Sequence, residues 1–233
     1  MIDWSPPNRP AIYAEKSLIT AILNGDYPPG SILPSERELA GKLGVTRPTL
    51  RETLQRLERD GWFTIQQGKS TRVNDYWRDG GLNVLNALVR YGEKLSPEFI
   101  PDLLQVRLAL APEYTRQAVE QSPDQVSKCL QDSTVLHDNP DEFASFDWRL
   151  HYSLTIASGN PIFTLILNGF SGFYEQMASI YFLHSDSRNA SMEFYQSLNI
   201  AANRNDSVEA ENITRLMMKK SIELWKSHSG GAL

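Results

Sequence analysis

Apolar residues recur at helical spacing along most of this chain, and the interruptions between periodic stretches separate a short-helix head from a long-helix body. Ala14, Leu18, Ile19, Ile22 and Leu23 predict a first helix over about residues 11–24, after a Pro-rich start in residues 1–10. Asn24-Gly-Asp-Tyr-Pro-Pro-Gly ends it with stacked breakers. A second helix begins around Pro34–Glu38, where Ser35 and Glu38 have the spacing of a capping box. Leu39 and Leu43 face inward, and Gly44 takes the left-handed position past the helix end. The third helix opens on Thr46 as N-cap and accepts Pro48 in its first turn. Val45, Leu50, Leu54 and Leu57 supply its core face, and Gly61 stops it. Trp62–Gln66 and Thr71–Asn74 have strand character, with Gly68 in the connection.

Residues 75–82 read as a linker, because Gly80-Gly81 breaks any continuous helix. Beyond it only helical periodicity is found, with segments expected at 83–93, 97–120, 123–137, 140–158, 161–184, 187–204 and 206–228. The fold expected is therefore mainly α. A winged helix-turn-helix (three helices and a β-hairpin wing) occupies residues 1–74, and an all-α bundle of six or seven helices occupies 83–233. The most apolar run, Pro161–Leu183, contains Asn168, Gly172, Glu175 and Gln176, which fits a buried amphipathic helix and not a membrane span.

The head carries candidate chemistry. A recognition helix presents its N-terminal residues to base edges, and here that turn displays Thr46, Arg47, Thr49 and Arg51. Arginine pairs with guanine O6 and N7, while threonine hydroxyls suit phosphates. Arg37, early in the preceding helix, is placed for a phosphate or a base, and the wing tip Gln67-Gly68-Lys69 can enter a minor groove. Arg56 and Arg59, later on the helix, read as salt-bridged or interfacial. The plain alternative is a solvated surface on an ordinary three-helix domain; the combination of cap, glycine turn, Arg/Thr-rich helix start and Gly-Lys hairpin argues against it.

Charge distribution agrees. The whole chain has a net charge of −5, so it is not a general polyanion binder. Residues 1–78 hold 11 Lys/Arg against 9 Asp/Glu, a net +2, and the remainder 12 against 19, a net −7. A slightly basic head on an acidic body suits a DNA-reading module tied to a different kind of domain. With one cysteine, Cys129, no intramolecular disulfide can form, and no secretory signal is visible at the start, so the cytoplasm is the expected compartment.

Residues 28–40, Pro-Pro-Gly-Ser-Ile-Leu-Pro-Ser-Glu-Arg-Glu-Leu-Ala with Pro28 at their start, together with Gly44-Val-Thr-Arg, Leu50-Arg-Glu and Leu57-Glu-Arg-Asp-Gly-Trp, resemble the GntR family of bacterial regulators. In the body, Asp147-Trp-Arg-Leu-His and Ala157-Ser-Gly-Asn-Pro-Ile resemble the effector domain of its FadR subgroup, so the likeness covers nearly the whole chain. Asp60-Gly-Trp-x-Thr-Ile-Gln, Leu165-Ile-Leu-Asn-Gly and Tyr181-Phe are similar to the acyl-CoA-responsive members. The resemblance implies a homodimer on a palindromic operator, released by long-chain acyl-CoA, with no cofactor and no membrane partner. It assigns DNA contact to Arg37, Thr46, Arg47, Thr49, Arg51, Gln67, Gly68 and Lys69. Pro48 and Gln67 depart from the Thr and His of those members, which changes local operator contacts.

The same resemblance poses a choice in the body. Most of the subgroup binds a divalent metal through one Asp and three His. Asp147 and His151 match two of these positions, an i,i+4 pair on one helical face, but Tyr195 and Met217 stand at the other two. Phenol and thioether are poor partners for such a cation, so no metal is expected; His151 is then a core histidine hydrogen-bonded to Asp147 or Tyr195. Acyl-CoA pocket positions map to Arg107, His151, Tyr181, Tyr195, Met218, Ser221 and Trp225. His151 replaces a Phe and Met218 a Gly. Lys219, Lys220 and Lys226 are candidate phosphate partners, though solvated lysines are the simpler reading. The alternative function is a GntR-type regulator of another catabolic operon that senses a small carboxylate or a metal-bound ligand. An enzyme using Asp147 and His151 as acid and base lacks a nucleophile elbow, a phosphate loop or a complete metal set.

Overall fold

Ser35 opens the second helix of the head by the reciprocal bonding that its spacing predicts. In the computed structural model, which describes residues 9–92 and 96–229, Ser35 Oγ accepts from the Glu38 amide and the Glu38 carboxylate accepts from the Ser35 amide. Residues 1–8 of the Pro-rich start, and residue 93 of a predicted helix, lie outside the described residues. The head comprises α1 (Pro10–Leu23), α2 (Glu36–Leu43), α3 (Arg47–Arg59), β1 (Phe63–Thr64), β2 (Arg72–Val73), α4 (Tyr76–Asp79) and α5 (Leu82–Tyr91). Gly44 ends α2 at φ 65°, a left-handed geometry that costs glycine little. Thr46 then caps α3 by accepting from the Thr49 amide.

The wing is shorter than its pattern suggests. β1 and β2 pair antiparallel, Phe63 opposite Val73 and Thr64 opposite Arg72, and Ile32 adds a bridge to Arg72. Leu18, Ile19, Leu39, Leu50, Leu54, Leu57, Trp62 and Phe63 are buried and form the core of the head. The expected linker is partly helical, since α4 lies within it. Moreover α5, expected with the body, packs its Leu88 and Tyr91 side against α1. The Tyr91 hydroxyl donates to Glu15 Oε1 at 3.2 Å, and Glu15 Oε2 pairs with Arg56 at 2.5 Å. Glu15 thus joins α5 to α3. The chain divides into two compact units, 1–95 and 96–233.

Gly61 fixes the end of α3 to the segment after the wing. It sits at φ 92°, and a Cβ there would collide with the backbone carbonyl of Asp79 and lie 2.6 Å from Gly80 Cα. Gly61→Ala is expected to destabilise the protein by about 1–3 kcal/mol, from backbone strain alone before any clash. Urea unfolding checks this, and a change below about 0.5 kcal/mol would place Gly61 outside the features that make substitutions costly.

The second unit contains, among the described residues, α6 (Phe99–Gln121), α7 (Pro123–Gln131), a 3-10 turn (Asp132–Val135), α8 (Pro140–Ala157), α9 (Pro161–Asn168), α10 (Tyr174–Tyr181), α11 (Ser185–Asn203) and α12 (Ser207–Ser229). α12 runs along α6, α11 packs on α12 and α7, and α8 packs on α6 and α10. Its core includes Val119, Leu130, Phe146, Leu150, Leu154, Phe182 and Leu198. The single helix expected over 161–184 is two helices. The break spans residues 169–173, which include Gly169, Ser171 and Gly172, and at its end Phe173 leaves helical geometry at φ −141° with its ring buried. Among the described residues no helix is long and apolar enough to cross a membrane.

Candidate functional site

Two surfaces carry chemistry. On the head, Arg37, Thr46, Arg47, Arg51, Gln67, Gly68 and Lys69 are exposed, and Thr49 is half-buried. The Thr46 and Thr49 hydroxyls lie 2.9 Å apart, so this pair also shapes the first turn of α3. Arg51 is engaged: its Nε and Nη2 donate to Glu36 Oε1 and Oε2 at 3.2 and 2.8 Å, a two-point bond from α3 to α2. Among the described residues Arg37 and Arg47 have no ion-pair partner, which leaves their guanidinium groups available to an anion or a base edge. Gly68 adopts φ 74° at the tip of the wing.

In the body, α6, α8, α9, α10 and α12 enclose a cavity of about 120 Å³. Its wall is almost wholly apolar and aromatic, with Leu103, Leu104, Leu110, Phe163, Ile166, Leu167, Phe170 and Met177 among the lining residues. Arg107, Asp147, His151 and Ser221 bring polar groups to it. Arg107 Nη2 and the Tyr174 hydroxyl each donate to Asp147 Oδ2 at 2.6 Å, and the Tyr195 hydroxyl donates to Oδ1 at 3.0 Å. Burial pushes the Asp147 carboxyl upward, but the adjacent Arg107 charge and the Tyr174 bond hold it below the usual range. Burial likewise opposes the Arg107 charge, and Asp147 overrides it, raising the guanidinium above its ordinary value. The pair is ionised and internally neutral.

His151 lies one helical turn beyond Asp147. Its Nδ1 is 2.6 Å from the Tyr114 hydroxyl, and its Nε2 is 3.7 Å from Asp147 Oδ1, too far for a hydrogen bond. Burial holds the Tyr114 phenol above its ordinary value, so it remains a hydroxyl that can donate to Nδ1. The ring proton then belongs on Nε2, facing the carboxylate; this tautomer is assigned from electrostatics. Burial first, and the Arg107 charge second, push the imidazole down to about 3. The folded chain therefore refuses a proton that the unfolded chain takes up near pH 6.5. The stability from neutral His151 is complete above that pH and is lost as pH falls toward 3. Relative to His151→Phe, the wild type is expected to lose about 1.4 kcal/mol per pH unit below 6.5. Urea midpoints at pH 7 and 5 check this, and parallel profiles for the two proteins would contradict it.

Asp147 and His151 do not fit a divalent cation here. Both carboxylate oxygens already accept hydrogen bonds, and the Arg107 guanidinium supplies the positive charge beside them. Tyr195 donates to Asp147, and Met217 offers only a thioether.

Of the residues expected to bind an effector, Arg107, His151, Tyr181, Ser221 and Trp225 line one cavity. Tyr195 and Met218 do not reach its wall. Tyr195 stands behind Asp147, fully buried, and Met218 packs in the core. Tyr114 and the α9 residues lie outside the expected set, and Tyr174, expected only as part of an aromatic stripe on the later helices, holds Asp147. Tyr114 and Tyr174 lie 37 and 27 residues from their partners, and no local spacing announces such pairings.

A winged helix-turn-helix head with a separate helical body that holds an apolar cavity defines a transcriptional regulator. Residues 12–73 match the family described as bacterial regulatory proteins, gntR family, and residues 74–230 match the FadR C-terminal domain. The chain belongs to the GntR family and carries a FadR-type C-terminal domain; it is a regulator and not an enzyme. It is 42% identical to a fatty acid metabolism regulator protein of Edwardsiella ictaluri, over 95% of this chain and 93% of that one. A protein of the same name from Shewanella sp. strain MR-7 is 41% identical over 93% and 90% of the two chains. The solved structure of Lar, described as controlling expression of the Listeria monocytogenes agr system, covers 93% of this chain and 96% of its own at a TM-score of 0.62. At 14% identity that likeness concerns the fold alone.

Proposed function

We propose that this protein regulates genes of fatty acid metabolism as a cytoplasmic homodimer on a palindromic operator, and that long-chain acyl-CoA in the body cavity releases it. In this reading Arg37, Thr46, Arg47, Thr49, Arg51 and the wing tip Gln67–Lys69 touch DNA. Arg107, His151, Tyr181, Ser221 and Trp225 surround the ligand, while Tyr195 and Met218 act behind them by packing. A palindrome asks the two heads of a dimer to present recognition helices about one DNA turn apart. The ligand acts only through its different affinity for the states that do and do not meet that requirement.

One observation carries the choice of ligand. The polar groups of the wall are already committed to one another, since Arg107 Nη2 and the Tyr174 hydroxyl both donate to Asp147, and the rest of the lining is almost wholly apolar and aromatic. A ligand with an apolar chain and a neutral linkage suits such a wall. The Arg107–Asp147 pair is already neutral, so the carboxylate of a free fatty acid would add an uncompensated buried charge. The thioester of an acyl-CoA adds none.

Calorimetry with an acyl-CoA series tests this. Each added CH₂ is expected to gain up to about 0.8 kcal/mol, roughly fourfold in affinity, until the cavity is filled. Free hexadecanoate is expected to bind more weakly than hexadecanoyl-CoA. Affinity that ignores chain length, or a preference for a short carboxylate, would favour the small-carboxylate alternative.

A further inference from the structure

The turn after α10 and the last turns of α12 meet at a place that the acyl-CoA reading does not use. His184 lies between α10 and α11, Asp186 is in the first turn of α11, and His228 is three residues past Trp225 on α12. The two imidazoles stack with centroids 3.6 Å apart and planes 13° from parallel. His228 Nε2 is 3.0 Å from Asp186 Oδ2. One ligand atom from each of the three residues lies within 4.8 Å of the others, and among the described residues no other three His, Cys, Asp or Glu side chains are so placed. His228 Nδ1 is buried and has no hydrogen-bond partner among the described residues.

We propose that His184, Asp186 and His228 bind a borderline divalent cation of the zinc type. Two imidazoles and a carboxylate suit zinc, nickel or copper; magnesium and calcium prefer all-oxygen shells. Zinc–nitrogen bonds of 2.0–2.1 Å place tetrahedral ligands about 3.3 Å apart, so the cluster closes by about 1.5 Å at its widest. His184 and Asp186 are exposed on a turn, where rotamer changes supply that movement. Three protein ligands leave a fourth position to water. The cation ties the end of α12 to the α10–α11 turn. α12 brings Ser221 and Trp225 to the cavity, and Tyr181 and Phe182 precede the turn, so occupancy fixes two of the cavity's walls.

Zinc chloride titrated calorimetrically into the full-length, chelator-stripped protein tests the site without any acyl ligand. One zinc per chain is expected. Cobalt substituted for zinc should give visible ligand-field bands without a thiolate charge-transfer band. Loss of an outer-shell partner alone costs about 10–100-fold in metal affinity, so His184→Ala and His228→Gln should each cost at least about tenfold. His184 is exposed, and a melt without metal confirms that its variant folds. Cys129→Ser and His137→Gln should bind zinc as the wild type does. Absence of zinc binding, or binding that survives the His184→Ala/His228→Gln double variant, overturns the proposal, as does binding that disappears with Cys129 or His137.

Discussion

Replacing Arg107 by Met is expected to destabilise the protein by about 3–5 kcal/mol, because it strands the Asp147 carboxylate without its counter-charge. In the wild type Asp147 is buried, with a side-chain exposure of 5%, and Arg107 is 20% exposed, so little solvent reaches the carboxylate to replace the Arg107 charge. The loss should shrink as pH falls. Without Arg107 the Asp147 carboxyl is no longer held below its usual range, and protonation relieves the stranded charge. In the wild type the sign is opposite, because a depressed carboxyl contributes stability that acid removes. The double variant Arg107→Met/Asp147→Leu should recover part of the loss, since an apolar pair of similar volume removes the unpaired charge. Urea unfolding of the three proteins measures this. A single-variant cost below about 1 kcal/mol would mean that water reaches Asp147, and the cavity would then be a wet one.

Arg47→Ala is expected to leave the fold intact and remove specific operator binding. Arg47 is exposed in the first turn of α3 and has no ion-pair partner among the described residues, so its loss should move stability by less than about 0.5 kcal/mol. A lost guanine contact costs about 1–3 kcal/mol, and the proposed dimer would lose two, which lowers affinity roughly 30-fold to more than 10⁴-fold. Arg51→Ala should differ, because Arg51 also holds Glu36. Its loss loosens α3 from α2 as well as from DNA. Operator titrations of the two variants at one salt concentration separate these effects, and near wild-type affinity for Arg47→Ala would remove it from the base-reading set.

The head was legible because its signals are short-range. The Ser35–Glu38 box, the left-handed Gly44 and the Thr46 cap each act within about one helical turn, so adjacent residues suffice to read them. What local signals do not show depends on partners distant in the chain. Gly80-Gly81 reads as a linker, yet α5 finds its apolar and hydrogen-bonding partner on α1, with Tyr91 reaching Glu15 across 76 residues. The break between α9 and α10 is local instead: it falls at residues 169–173, where Gly169, Ser171 and Gly172 interrupt the strong apolar run on either side. In the body, the i,i+4 spacing of Asp147 and His151 marked the site, but its chemistry depends on Arg107, 40 residues from Asp147, and on the three tyrosines around it. Met218 shares α12 with the lining residues Ser221 and Trp225 but points elsewhere, a distinction of side-chain direction that spacing does not resolve, and Tyr195 belongs to α11, which does not line the cavity.

Filling the body cavity is proposed to release the head from DNA. Hexadecanoyl-CoA titrated at micromolar concentration into a preformed complex of the protein with its operator tests it most directly. Octanoyl-CoA and free coenzyme A serve as comparisons, with Trp225→Ala in parallel. Release by the long-chain ester, much weaker release by octanoyl-CoA, none by coenzyme A, and a response blunted in the variant at unchanged operator affinity is the predicted result. A complex that stays intact with hexadecanoyl-CoA contradicts the claim.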